Sequence, residues 1–463
     1  MSNSLHTMAR WARGLRSAPD DLLRIARLQH LAAAGAVRRG AAAAGGVGVR
    51  GEGRAAHAAA VLARWEWDDY LLAGRTGLGA VPAAWGRAAN HSVNDLLLAT
   101  IVGNEIGGRV GLTALFGPRG DGSDARPVAA AAAATAAWLD GLDADGIAGA
   151  VAAAVEGSRI HTFAERAADP GAFGGETVAR AMSARGGDPT VLDRVEAWTP
   201  LAGADAGLGE AWLTRTLVLK AQPGSAWTGV AVEAVGEILD RHVRAAEKRL
   251  RSEQVERIEI RVGTLASAME RASDAAEGLD PFVLGASIKR SVGALVAFHE
   301  MTPEVLADVG EKAADIEGVA SRVELVHDWK STLGTVESLA PVLSPLGVRP
   351  LATARRMRSE GMLPGLDVRA LVAGRADRVL RALRRGGTLG SAVIDGFAWR
   401  LPVEVKLYTT RGGWWPERRA MPRGTVAGGD MESVARARFG RDDFDTLLEA
   451  TGSGADWFAG LRG

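Results

Sequence analysis

Apolar residues recur at helical spacing through the first half of the chain. In Asp20 to Ala34, Leu22, Leu23, Ile25, Ala26 and Leu28 follow the i, i+3/i+4 rule of one helix face. Ser92 with Asp95 reads as a helix start, which Leu96 to Ile106 continues. Ala129 to Leu139 and Asp145 to Val155 are small-residue helices, and apolar residues all round predict burial and close packing. No convincing strand appears before residue 250. Beyond it, Ile258, Ile260 and Val262 alternate with Glu259 and Arg261, and Val403, Val405 and Leu407 alternate with Glu404, Lys406 and Tyr408. Val323 to His327 is a further short candidate. Period two predicts half-buried strands. Helical patterns run between them, and Met431 to Leu461 returns to helix. The fold class predicted is mainly α: a large all-helical domain with a smaller α+β domain inserted into it.

Composition narrows the function. In 463 residues, Lys+Arg and Asp+Glu are 55 each, so the net charge of zero gives no electrostatic case for nucleic acid. The absence of cysteine excludes disulfides, thiolate metal sites and a Cys nucleophile. Apolar runs such as Val128 to Leu139 fall short of the roughly 20 residues that span a bilayer. Arg10, Arg13 and Arg16 precede no apolar core of a signal peptide, so the expectation is a cytoplasmic protein with no membrane partner. Gly46 to Gly51 matches G-x-G-x-x-G but lies between Ala-rich helices, which predicts an interhelical loop rather than a nucleotide site. The histidines form no metal-ligand pair, and His161 and His299 read as surface or capping residues. Neither a nucleophile elbow nor a Walker loop is present.

Glu66-Trp67-Asp68-Asp69-Tyr70 stands apart, with Trp65 before it. Like charges beside apolar rings raise at least one carboxyl pKa, which suits acid–base work. The competing reading, favoured by the chemistry alone, is a solvated helix N-terminus where acids complement the macrodipole.

The order of several segments resembles the MmgE/PrpD family, which includes 2-methylcitrate dehydratase and cis-aconitate decarboxylase. Ala63 to Tyr70 is similar to its His-Ala-Leu-Asp-Phe-Asp-Asp-Thr stretch, Arg75-Thr-Gly77 falls at its His-Pro-Gly, and Val81-Pro-Ala-Ala84 at the helix that follows. Leu96 to Gly111 resembles its next segment. Leu219-Lys-Ala-Gln-Pro223 looks like the Lys-x-x-Pro that opens its lid domain, Phe282 to Phe298 like its Phe-Ser-x-x-Tyr helix, and Pro422 to Phe439 like its closing segment. The resemblance implies a helical domain over residues 1–217, an α+β lid over 218–428 with a helical insertion near 329–385, and a return to the helical domain over 429–463. It also implies a homodimer.

The departures fall on the histidines that the family uses for proton transfer. Arg75 and Ser225 replace two of them, and the segments at Asp121 to Asp124 and Glu165 to Ala168 carry none. Arg290 stands for the helix Tyr, Glu66 and Tyr70 for Asp and Thr, and Lys220 matches the lid lysine. The expectation is a cleft in which Lys220, Arg75 and Arg290 attract an anionic, carboxylate-bearing small molecule. Asp68 or Asp69 is the expected base, Tyr70 or Ser225 the expected donor, with Glu66 and Arg75 binding substrate and Trp67 and Trp227 adding apolar area. This describes a cofactor-independent lyase or isomerase: dehydration, decarboxylation or double-bond migration. Two alternatives stay open: a pseudoenzyme whose Arg residues merely pair with Glu66 and the aspartates, and a cyclase that folds a hydrophobic intermediate by shape.

Overall fold

A computed structural model describes residues 4–44, 53–72, 74–114, 125–158, 161–192, 205–274, 276, 278–343 and 389–462. The loop read at Gly46 to Gly51, the Asp121 to Asp124 segment and most of the insertion near 329–385 lie outside these residues.

Among the described residues nine helices of the first half pack on one another: α1 (Ser4–Gly14), α2 (Asp20–Ala43), α3 (Arg54–Arg64), α4 (Gly77–Arg87), α5 (Val93–Ala114), α6 (Arg126–Leu139), α7 (Ala144–Glu156), α8 (Phe163–Ala168) and α9 (Pro170–Ser183). The Ala-rich α6 lies at the centre, against α4, α5, α7 and α9. Its small side chains let neighbouring backbones approach to contact distance. A Cβ at Gly79 of α4 would lie 2.3 Å from the Val128 carbonyl oxygen, and one at Gly103 of α5 would lie 2.1 Å from Thr135 Oγ1. The start of α5 is the expected one: Asp95 accepts from the Ser92 amide at 3.0 Å while its own amide donates to Ser92 Oγ at 3.1 Å.

The second half carries α10 (Ala226–Ala246), α11 (Thr264–Ser273), α12 (Pro281–Ala286), α13 (Ile288–Phe298), α14 (Ala313–Ala320) and α15 (Trp329–Leu343). Its sheet has four strands, β1 (Val255–Val262), β2 (Val323–His327), β3 (Val403–Thr409) and β4 (Trp414–Arg419), in the order β2-β1-β3-β4. β1 pairs parallel with β2 and antiparallel with β3, and β3 pairs antiparallel with β4. Ile258 and Ile260 lie directly opposite Leu407 and Val405, and these four side chains are fully buried. α10 packs across β3 and β4. Finally α16 (Met431–Phe439) and α17 (Gly454–Arg462) return to pack on α2. Among the described residues the molecule is therefore mainly helical with one small mixed sheet. No helix among the described residues is long and apolar enough to cross a membrane.

The chain passes from the helices to the sheet region and back through two adjacent segments. Val218 bridges to Tyr70 on one side and to Thr425 on the other, and the Leu219 amide donates to the Gly424 carbonyl at 2.9 Å. Gly424 has φ +73°, and a Cβ there would sit 1.9 Å from the Leu219 oxygen. Both the conformation and the contact demand glycine. Gly424→Ala is expected to cost about 1–3 kcal/mol or more in urea denaturation, whereas Gly390→Ala, with open space around its Cβ, should cost little.

Candidate active site at the double crossing

Where α3 ends, Trp65 closes the last turn and Glu66 takes a left-handed conformation, φ 45°. The chain then runs without regular structure to the bridge at Tyr70. Two indoles fix this course: Trp65 Nε1 donates to the Gly40 carbonyl at 3.0 Å, and Trp67 Nε1 donates to the Lys220 carbonyl at 3.1 Å. The carboxylates follow the backbone inward, leaving Glu66, Asp68 and Asp69 only 5%, 1% and 1% exposed. This overturns the solvated helix N-terminus: the segment leaves a helix C-terminus and lies in the interior.

Charges in the interior are stable only when paired and hydrogen-bonded. Arg75 grips Asp68 with two bonds, Nε to Oδ2 at 2.8 Å and Nη2 to Oδ1 at 2.7 Å. Lys220 Nζ donates to Asp68 Oδ1 at 3.2 Å, to the Gly224 carbonyl at 3.0 Å and to the Glu66 carbonyl. Burial alone would push the Asp68 carboxyl up; Arg75 and Lys220 outweigh it and hold Asp68 well below the usual carboxylate range. Glu66 Oε1 faces Arg75 at 3.3 Å and Arg166 at 3.8 Å. The Arg166 guanidinium lies 5.2 to 5.9 Å from the ring centres of Phe163, Phe173 and Phe282. Asp69 Oδ1 accepts from Arg438 at 2.7 Å, and the same guanidinium holds the Trp67 carbonyl at 2.6 Å and the Lys220 carbonyl at 3.3 Å. Burial dominates at Asp69 and pushes its pKa up to about 6.

Beside this network runs a narrow cleft lined by Tyr70, Lys220, Ser225 and Glu233, with Pro422 and Arg423 on its wall. Its open volume is about 10 Å³, room for one water molecule. Glu233 accepts from Arg419 Nε at 2.8 Å and from the Arg423 amide at 3.1 Å, yet burial lifts its pKa to about 7. The Tyr70 hydroxyl is buried with no hydrogen-bond partner among the described residues, and burial, then the Glu233 charge, raise its pKa. Ser225 Oγ caps α10 by accepting from the Trp227 amide at 3.4 Å. Trp399 gathers rings around the cleft, with centroids 6.0 Å from Tyr70, 5.8 Å from Trp227 and 5.7 Å from Phe397.

Several expectations change. Asp68 is a weak base, because Arg75 and Lys220 occupy both its oxygens and lower its affinity for a proton. Arg75 and Lys220 are not open cations awaiting an anion; their N–H groups are spent on Asp68, Glu66 and backbone carbonyls. Arg290 is not part of the cluster: it donates to the Ala276 carbonyl at 3.2 Å and faces Glu317 at 3.6 Å. Trp67 packs against Arg39 and Arg438 inside the protein rather than on a cleft wall. Tyr70, Lys220 and Ser225 do come together, and Trp227 joins them through Trp399. His299 ends α13 in a left-handed conformation with its ring on the Leu250 carbonyl, a capping role as expected.

Reading the sequence missed Glu233, Arg438, Arg166 and Trp399. Two of these had a signal. Glu233 is a lone acid inside Val230 to Val235, and Arg438 falls on the buried stripe Met431, Val434, Ala435, Phe439 of α16. A charged residue at a core-facing helical position needs a partner somewhere in the fold.

No family model matches the chain, and no curated protein matches it. Among the described residues no group of three or more His, Asp or Glu side chains could hold a metal ion. Chemically, Asp69 and Glu233 are the carboxyls of this region whose proton affinity lies near neutrality.

Arg438→Met should cost about 3–5 kcal/mol in chemical denaturation, since it leaves the Asp69 charge buried alone. Asp69→Asn in the same chain should recover a large part of that loss. Glu233 supplies a pH test. Its pKa is raised in the folded state, so the native protein holds a proton that the unfolded chain has released. Stability should fall as pH rises from about 4.5 to about 7, by about 1.4 kcal/mol per unit of displacement. Glu233→Gln should flatten that part of the curve.

Proposed function

We propose that the chain is a lyase or isomerase of the MmgE/PrpD type, acting on a small carboxylate by acid–base chemistry without a metal or organic cofactor. The sheet region acts as its lid, hung on the two crossings beside Tyr70, and the active assembly is a homodimer. One observation carries the reading: the buried, unpartnered Tyr70 hydroxyl shares a cleft with Lys220, Ser225 and Glu233. A buried hydroxyl without a partner costs about 1–3 kcal/mol, and such a donor is suited to an oxygen that gains negative charge during reaction.

In this reading Glu233 takes the proton α to a carbonyl and Tyr70 donates to the enolate oxygen. Ser225 hydrogen-bonds the departing group, and Arg423, whose guanidinium also engages Glu237, meets the substrate carboxylate at the mouth of the cleft. Lys220 positions the segment and touches no substrate. Dehydration and double-bond migration begin with that proton transfer; decarboxylation ends with its reverse. A cleft with room for one water admits substrate when the lid swings about the crossings.

A second reading has its own observation. Arg75 and Lys220 are consumed inside the protein by Asp68, Glu66 and backbone carbonyls. That closed network suits a ligand- or partner-binding protein of the same fold without turnover.

A mass-spectrometric turnover screen with citrate, 2-methylcitrate, cis-aconitate, itaconate and larger unsaturated acids separates the two. The expected result is loss of water or carbon dioxide, or an isomer resolved by NMR. Tyr70→Phe should slow that conversion about 100-fold or more while raising stability by about 1 kcal/mol. Wild-type turnover in Tyr70→Phe would sink the assignment of the cleft. Binding of a panel acid with no conversion would favour the non-catalytic reading.

A further inference from the structure

Away from the cleft, the helical body carries a groove of about 510 Å³ between α2, α3, α4 and α17. Ala34, Val37, Arg38 and Ala41, one stripe of α2, form a side of it. Its floor is apolar, made by Trp85, Phe458 and Leu461. Trp85 offers only its ring there, because its Nε1 is committed to His30 Nδ1 at 2.8 Å.

The polar lining is basic throughout: Arg38, Arg54, His57 and Arg462, with no carboxylate among the described residues. Arg54 and Arg462 lie 5.7 and 5.8 Å from the Phe458 ring centre, and neither has an ion-pair partner among the described residues. Arg38 holds the Phe439 carbonyl with Nη2, while its Nη1 is buried without a partner among the described residues. Asp443, whose charge reaches Arg38, is itself engaged by Arg441. α3 also begins at this mouth, at Gly53, with no side chain capping its first turn. The positive end of its dipole adds positive potential there.

The floor side chains are nearly covered by the helices that carry them, and Arg54 and Arg462 on the rim are solvated, so the empty groove costs little; what it offers is an apolar wall set beside cations. One kind of ligand matches both. We propose that this groove binds a small amphipathic anion, an alkyl or aryl carboxylate of medium chain length. Its tail covers Trp85, Phe458 and Leu461, and its carboxylate bridges Arg54 and Arg462. A neutral apolar molecule leaves the cations unpaired. An inorganic anion leaves the floor bare. A second copy of the same groove brings like charge to like.

Isothermal titration of the full chain with octanoate, octanol and acetate tests this. Octanoate should bind at least about tenfold tighter than either of the others, and added salt should weaken it. Arg54→Ala with Arg462→Ala should weaken octanoate about tenfold or more and leave octanol unchanged, as expected when charge-assisted hydrogen bonds are lost. Both residues are exposed, and an unchanged melting curve would show the fold intact. Val37→Glu should abolish octanoate binding by adding charge and bulk to the groove. The proposal falls if octanoate binds no better than octanol, if the double variant binds it unchanged, or if it does not bind. It also falls if octanoate is silent while Val37→Glu dissociates a dimer in sedimentation, which would make the groove a self-interface.

Discussion

The buried carboxylate of Asp68 is the tie on which the centre of the molecule depends. It holds Arg75, which sits just before α4, and Lys220, which stands on the first crossing to the sheet region. Lys220 in turn fixes the carbonyls of Glu66 and Gly224, and Arg438 closes the arrangement from the C-terminal helices by holding Trp67, Asp69 and Lys220. Three stretches far apart in sequence are thus pinned at one place. An apolar cluster of similar volume would be as stable or more so. What the ionic version adds is direction: each bond specifies one oxygen, so the segments have one way to fit.

That geometry explains why neighbouring carboxyls differ. Asp68 sees two cations and stays ionised. Asp69, one residue on, has a single guanidinium and an oxygen, Oδ2, with no partner, so burial dominates. Glu233 reaches the same region from a helix of the sheet side and is balanced the same way. Groups that exchange protons near neutrality therefore face the junction from both parts of the chain. The proposed acid–base role draws on that placement rather than on any one residue.

Much of the architecture was legible in the sequence, because periodicity is a local property. α2, α5, α6, α7, β1, β2 and β3 all follow from it. β4 did not, since Trp414-Trp-Pro-Glu-Arg-Arg419 has no alternation of polarity and contains a proline. Its strand character comes from pairing with β3 at the sheet edge. At the site, the residues that matter were mostly in view, but their pairing was not. Nothing local says that Arg75 folds back on Asp68, or that Lys220 spends all three N–H groups on groups more than 150 residues away or four residues on. The inward course of the acidic stretch is set by Trp65 and Trp67 reaching carbonyls at Gly40 and Lys220, a long-range effect invisible to charge counting.

The bridge between Val218 and Thr425 has a topological meaning as well. The two ends of the long excursion through the sheet meet as neighbours. The helical body is therefore closed in space at the very point where the chain leaves it. The excursion between the bridged residues can thus change in length without changing the distance that the body's own chain must span, while Lys220 and the Gly224 amide, bonded to Asp68 and to the Trp65 carbonyl, keep its first residues part of the body.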